Sequence, residues 1–551
     1  MTWGLPASDG WDSDGIAPRD FLVGVVKTYQ PGQFFSYPPL HLLLLTLITF
    51  PGWIVGLFKA HSLAPPDVVA ELIKVPYMTF FAVVARAVSA AMSVGAIAWV
   101  GKIGEELGGK RVGACAAAAC ALNATLVYYG NVSNLDGPCM FWSTLAAWQW
   151  IRAIARHEPR RFRWAGLFTV AAIATKDQAY AVFLLGLPMV FAMWFATDPW
   201  PRRNWRLVIG RLGIAIAIAS IVLLAVDGAI TNPHGFGDRV LYLLGPASQN
   251  HAFYPHDWEG RLQLLADGFA NFQHAYPQIA AYLGVFGLCV HAWRAREVRS
   301  VWAAGFFPLF AILSFTLTFN FVALRSEDRF VLAQTVFFSV YLGIAVDALA
   351  FHAFAALRWI ARVAIVALAG LAFVQCAAVN AAFLYDSRYD AERWLYDHVR
   401  DGETIETYGQ NVYLPRFPGS ARVTRIAPTA SANGGVLPNV TEIEQPYEAL
   451  EARKPRFIVV SAFWAGRYLI PNGLHANDGH VYSPAQQAQM KETGARRYFH
   501  DLREGRLAYR LVHQSEYVPG MLPAVRFHQS IGQAIWIFER MEPGKSSDMK
   551  S

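Results

Sequence analysis

Runs of roughly 18 to 25 apolar residues recur from about residue 78 to 384, each long enough to cross the hydrocarbon core of a bilayer. No other feature constrains the fold so tightly. In lipid every backbone N–H and C=O needs an internal partner, so such runs fold as helices. Composition agrees: only 16% of the 551 residues are charged and 54% are hydrophobic, whereas soluble proteins carry about 25% charged residues. After residue 385 the composition returns to that of a soluble domain. The expected architecture is an α-helical polytopic membrane protein with a small C-terminal α/β extramembrane domain. Its parts are an outer-face region (1–77), a transmembrane domain of about 10 spans (78–385) and an extracytoplasmic domain (386–551).

The expected spans lie near 78–101, 112–129, 137–155, 207–228, 276–294, 301–321, 331–350 and 359–384, with a broken pair at 164–175 and 178–196. The interruptions alternate in charge. Loops 101–111, 152–163, 198–211, 291–300 and 352–362 hold 17 Lys or Arg, whereas 130–136, 176–177, 229–275 and 322–330 hold five. The positive-inside rule puts the first group in the cytoplasm and the C-terminal domain outside. The segment "PPLHLLLLTLITFPGWIVGLF" (38–58) is apolar enough to span, but Pro51 and Gly52 interrupt it. A pair of interfacial or re-entrant helices fits that break and leaves residues 1–77 outside. That placement leads us to expect a membrane anchor ahead of residue 1.

Five cysteines, Cys115, Cys120, Cys139, Cys289 and Cys376, all lie in or beside apolar segments, which supports neither a disulfide framework nor a Cys-type zinc site. The net charge of +7 resides mainly in inter-span loops, so it does not point to nucleic acid. The C-terminal part reads as helix at "DAERWLYDHV" and strand at "ETIETY", "RFIVVSAFW" and "AIWIFER", with no nucleotide loop, triad or metal cluster.

Ionisable groups at a membrane edge are costly and default to functional candidates. On the outer side these are Asp12, Asp14, Arg86, Asp136, Lys176, Asp177, Arg325, Glu327, Asp328 and Arg329. Asp12 or Asp14 can equally cap the helix implied by "IAPRDFLVGVV". Arg325 and Arg329, in "ALRSEDRF", can pair with Glu327 and Asp328 as a loop-end network. Arg86 lies within a span and needs a counter-charge, for which Asp136 in "NLDGP" is the expected structural partner. Loop 229–275 holds His234, His251, His256, Asp257, Glu259 and His274 without tight ligand spacing. A divalent metal there is one reading, and a polar loop over a binding cleft is the other.

The order "DSD", "YPPL", "ARAVSAAMSVGAIAWVGKIGEELGGKRVGACAAAACALNATLVYYGNVSNLDGP" and "ATKD" resembles the GT-C membrane glycosyltransferases. It is most similar to bacterial relatives of protein O-mannosyltransferases and lipid A aminoarabinose transferases, over residues 10 to about 350. The resemblance implies a GT-C-like fold in a bacterial inner membrane. It also implies an inverting transfer of sugar from a polyprenyl-phosphate carrier to a hydroxyl of a lipid, glycan or protein acceptor, with no required cofactor. Asp14 is then the expected general base, with Asp12 orienting it or taking its place. Where the family shows Asp-Glu, this chain has Asp14 followed by Gly15. Arg325, Arg329 and Lys176 are the expected ligands of the donor phosphate. Arg86, Asp136 and Tyr129 are the expected substrate-binding or structural residues. A secondary transporter is the rival class, but no internal repeat or midplane charge cluster supports it. A catalytically degenerate scaffold of the same fold is the third reading.

Overall fold

The computed structural model describes residues 2–7, 11, 15–245, 252–351, 355–427, 440–469, 494–517 and 531–541. The chain forms two compact units. One comprises 15–51 and 83–379, and the other comprises 2–14, 52–82 and 380–551.

The first unit is helical. Among the described residues, six helices are long and apolar enough to cross a membrane: Val75–Ala121, Asp177–Thr197, Trp205–Val226, Arg299–Ala323, Asp328–Ala350 and Arg358–His398. The pair Pro39–Ile48 and Phe50–Lys59, bent by 62°, makes a seventh if taken as one span. The bend falls at Thr49, just ahead of Pro51, whose ring cannot continue a regular helix interior. Other expected spans are realised as shorter helices: Phe162–Ile173 has 12 residues and Ile279–Arg294 has 16. Val75–Ala121 runs through two of the expected spans and turns at Gly109, whose φ of 84° a side chain rarely adopts. The chain then breaks at Asn123. Its side chain accepts from Leu126 N–H at 3.0 Å, capping the helix Ala124–Asn131, and donates to Thr335 Oγ1 at 3.0 Å. Thr335 lies on Asp328–Ala350, the most enclosed span, with 78% of its apolar window buried.

In the second unit a six-stranded sheet contains β1 (Thr404–Tyr408), β2 (Arg422–Ala427), β3 (Val440–Glu444), β4 (Phe457–Ser461), β5 (Tyr509–Ser515) and β6 (Ile535–Arg540). Its order is β3-β2-β1-β4-β6-β5. The first four neighbours pair in parallel, and β6 joins β4 and β5 antiparallel. Alternation along the strands feeds two cores. Ile405, Phe457, Val459 and Ile537 pack on one face with Ala391 and Leu395 of the helix Ser387–His398. Tyr408, Ile458, Val460 and Phe538 pack on the other with Tyr498 and Phe499.

Candidate functional site

On the helix Val75–Ala121, Arg86, Ser89 and Ser93 follow at intervals of three and four, which aligns them on one face. Gly137 opens the helix Asp136–Ala155 against this face: a Cβ there would lie 2.6 Å from Ser93 Oγ, so glycine allows the close approach without moving that hydroxyl. The neighbouring Asp136 is held in the first helical turn, where the dipole favours a carboxylate. Its N–H donates to Asn134 Oδ1 at 2.7 Å. Lys176 lies at the break between Phe162–Ile173 and Asp177–Thr197, and its Nζ donates to Asp136 Oδ1 at 2.5 Å.

The motifs expected to surround this pair are tied to it by backbone bonds. Leu40 N–H, from "YPPL", donates to Ala174 C=O at 3.0 Å, and Ile16 N–H donates to Ser133 C=O at 2.8 Å. The pair is incompletely satisfied. Among the described residues, Asp136 Oδ2 and the buried hydroxyls of Ser89, Ser93, Tyr129 and Thr175 find no hydrogen-bond partner. Such clustering is uncommon, because buried polar groups are normally paired.

The expected Arg86–Asp136 pair is replaced by Lys176–Asp136. The reason is register. Ser93, not Arg86, packs on Gly137, and seven residues correspond to about 10 Å of helix rise. Arg86 remains buried on the same face.

Arg325 and Arg329 occupy a second cluster. A π-helical turn, Thr316–Asn320, precedes Leu324, which has φ 50° and redirects the chain at some conformational cost. Asn320 braces the turn by donating to the carbonyls of Arg325 (2.9 Å) and Phe330 (3.0 Å). Arg325 Nη2 lies 3.3 Å from Glu327 Oε1, and Arg329 Nε lies 2.9 Å from Glu327 Oε2. Both guanidiniums sit 4.6 Å from the Phe330 ring centre. The loop-end network therefore forms around Glu327, while Asp328 instead bonds His274 at 2.6 Å. Tyr129 is fully buried on the helix Ala124–Asn131.

Sequence reasoning missed a third network. Arg239 bonds Asp177, next to Lys176, and lies 3.3 Å from Asp227. Arg239, one of two arginines in loop 229–275, was its only sequence signal.

Asp12 and Asp14 lie outside the described residues, as does His251. Their neighbour Trp11 is held within the second unit. Arg388 lies 4.3 Å from the Trp11 ring centre and 5.2 Å from that of Trp3. Arg388 Nε and Nη2 donate to Asp386 at 2.8 and 2.7 Å, and Trp3 Nε1 donates to the same carboxylate at 3.1 Å. Nothing in the spacing of the tryptophans announced this clamp. Among the described residues, no group of three or more His, Cys, Asp or Glu is arranged to hold a metal ion.

Residues 78–225 match the family described as dolichyl-phosphate-mannose-protein mannosyltransferase. No curated protein matches the chain. Among solved structures, the apo oligosaccharyltransferase of Archaeoglobus fulgidus is similar at 13% identity, covering 96% of this chain and 85% of that one, with a TM-score of 0.48. Apo ArnT from Cupriavidus metallidurans is similar at 12% identity, covering 97% and 95%, with a TM-score of 0.43. ArnT of the same organism bound to undecaprenyl phosphate gives 12% identity, 97% and 96% coverage and a TM-score of 0.44. The family match contains Arg86, Tyr129, Asp136 and Lys176.

Proposed function

We propose that the protein transfers a sugar from a polyprenyl-phosphate carrier to an acceptor hydroxyl on the outer face of a bacterial inner membrane. The acceptor belongs to a lipid, a glycan or a protein. The observation that carries this reading is the mannosyltransferase family match over the segment holding four candidate residues. In the proposed step the acceptor oxygen bonds to the anomeric carbon as the carbon–oxygen bond to phosphate breaks. Polyprenyl phosphate departs with the bonding electron pair, and the configuration inverts. Asp14 takes the acceptor proton, with Asp12 orienting the pair or acting in its place.

Lys176, Arg325 and Arg329 supply the positive charge that the departing phosphate needs. The unpartnered hydroxyls of Tyr129, Ser89, Ser93 and Thr175 support a polar ligand beside Asp136. In this reading the cationic side chains replace a metal, so a chelator leaves the rate unchanged. The C-terminal domain lies outside the cytoplasm with the catalytic loop.

The test is transfer of labelled sugar from a polyprenyl-phosphate donor by the protein in proteoliposomes. Asp14→Asn is expected to reduce turnover about 10²- to 10⁴-fold, the usual range for a general base. Full activity in both Asp14→Asn and Asp12→Asn removes the base assignment. An active wild type whose rate collapses on chelation overturns the metal-free step.

A further inference from the structure

A cavity of about 570 Å³ opens in the first unit, lined by His157, Arg160, Arg163, Trp164, Trp200 and Arg211 among others. It lies among the loops that the charge count assigns to the cytoplasmic side, away from the candidate site on the opposing loops. The positive-inside rule explains why these loops are basic. It does not explain why arginines from two helices and two tryptophans enclose one concavity.

The local electrostatics are unbalanced. Arg160 and Arg163 flank the start of the helix Phe162–Ile173, whose first turn has no acidic residue. A helix N-terminus repels cations, so this placement calls for an anion. The nearest acid on the wall, Glu158, is already engaged by Arg161 and lies 3.6 Å from Arg152. Asp198 is taken by His157 at 2.7 Å, whose ring stacks on Trp200 with centres 4.5 Å apart. Among the described residues, Arg160, Arg163 and Arg211 have no carboxylate partner.

One wall is apolar. Leu207 and Arg211 belong to Trp205–Val226, whose apolar window is only 11% buried. Ile209, Ile214, Ile216 and Ile221 are exposed along that helix, and Trp164 is exposed at the rim. A cationic cup above a bare apolar helix matches a ligand with a phosphate at one end and acyl chains at the other. Basic cavities between helices at this membrane face are suited to anionic headgroups.

We propose that this cavity binds the phosphate of an anionic glycerophospholipid, with the acyl chains lying along Trp205–Val226. The probe is phosphatidylglycerol added to delipidated, detergent-solubilised full-length protein, with retained lipid read by native mass spectrometry. The wild type is expected to hold phosphatidylglycerol at least tenfold more tightly than phosphatidylcholine. Arg160→Ala/Arg163→Ala/Arg211→Ala is expected to lose that preference, and Lys110→Ala/Arg296→Ala/Arg358→Ala, of equal charge change on the same side, to keep it. The single exposed substitution Arg211→Gln gives an intermediate loss and serves if the triple variant does not fold. Equal retention of phosphatidylcholine, or equal loss in both triple variants, overturns the proposal. So does displacement of the lipid by millimolar inorganic phosphate with the same thermal stabilisation, which identifies free phosphate as the ligand.

Discussion

Two buried ion pairs, one in each unit, use their charges in opposite ways. Asp386 accepts at Oδ1 from Arg388 N and Nε, and at Oδ2 from Arg388 Nη2, Trp3 Nε1 and Gly532 N. Tryptophan faces cover the guanidinium. Asp136, by contrast, uses one oxygen for Lys176, and among the described residues its other oxygen and the hydroxyls around it find no partner. A buried charge needs both a counter-ion and full hydrogen bonding to repay its desolvation. The first pair meets that requirement within the protein. The second does not meet it among the described residues, and this marks it as a candidate binding pair.

The sharpest way to break the comparison is Arg388→Ala. It leaves Asp386 buried without its counter-ion and is expected to cost about 3–5 kcal/mol, read by denaturant melting with tryptophan fluorescence. A loss below about 1 kcal/mol would deny Arg388 its organising role. The matched experiment is Lys176→Met/Asp136→Leu. Removing both charges is expected to change melting little, because apolar replacements of a buried pair are often neutral. Transfer activity is expected to fall about 10²- to 10³-fold, the scale of a lost electrostatic contact at a reacting centre. Retained activity would return the pair to a structural role.

The smallest effect is expected for Tyr129→Phe. Its hydroxyl has no partner among the described residues, so stability should change by less than about 0.5 kcal/mol while transfer falls about tenfold. A larger stability loss would show that the hydroxyl is already satisfied.

These contrasts mark what the sequence could disclose. Apolar runs reveal helices because lipid-exposed backbone has no other way to satisfy its polar groups. Strands β1, β4 and β6 are readable from their β-branched and aromatic residues. β2 and β3, with "RVTRIA" and "VTEIE", carry charges towards the sheet edge and lose that signal. The candidate residues themselves were legible as ionisable groups beside apolar spans. Their partners were not, because helix register assigned Asp136 to Lys176 and drew Glu327 to both arginines. Periodicity encodes which face a residue occupies, but not which residue of another helix will oppose it.

The Trp3–Asp386 bond joins residues 383 positions apart. At a synthesis rate of roughly 5–20 residues per second, the tryptophan leaves the ribosome roughly 20–75 s before its acceptor exists. During that interval the segment carrying Asp12 and Asp14 lacks the clamp that holds its neighbour Trp11. Closure of the clamp on Trp11 is therefore a late event in biogenesis, and a nascent chain stopped before residue 386 would carry both tryptophans without it.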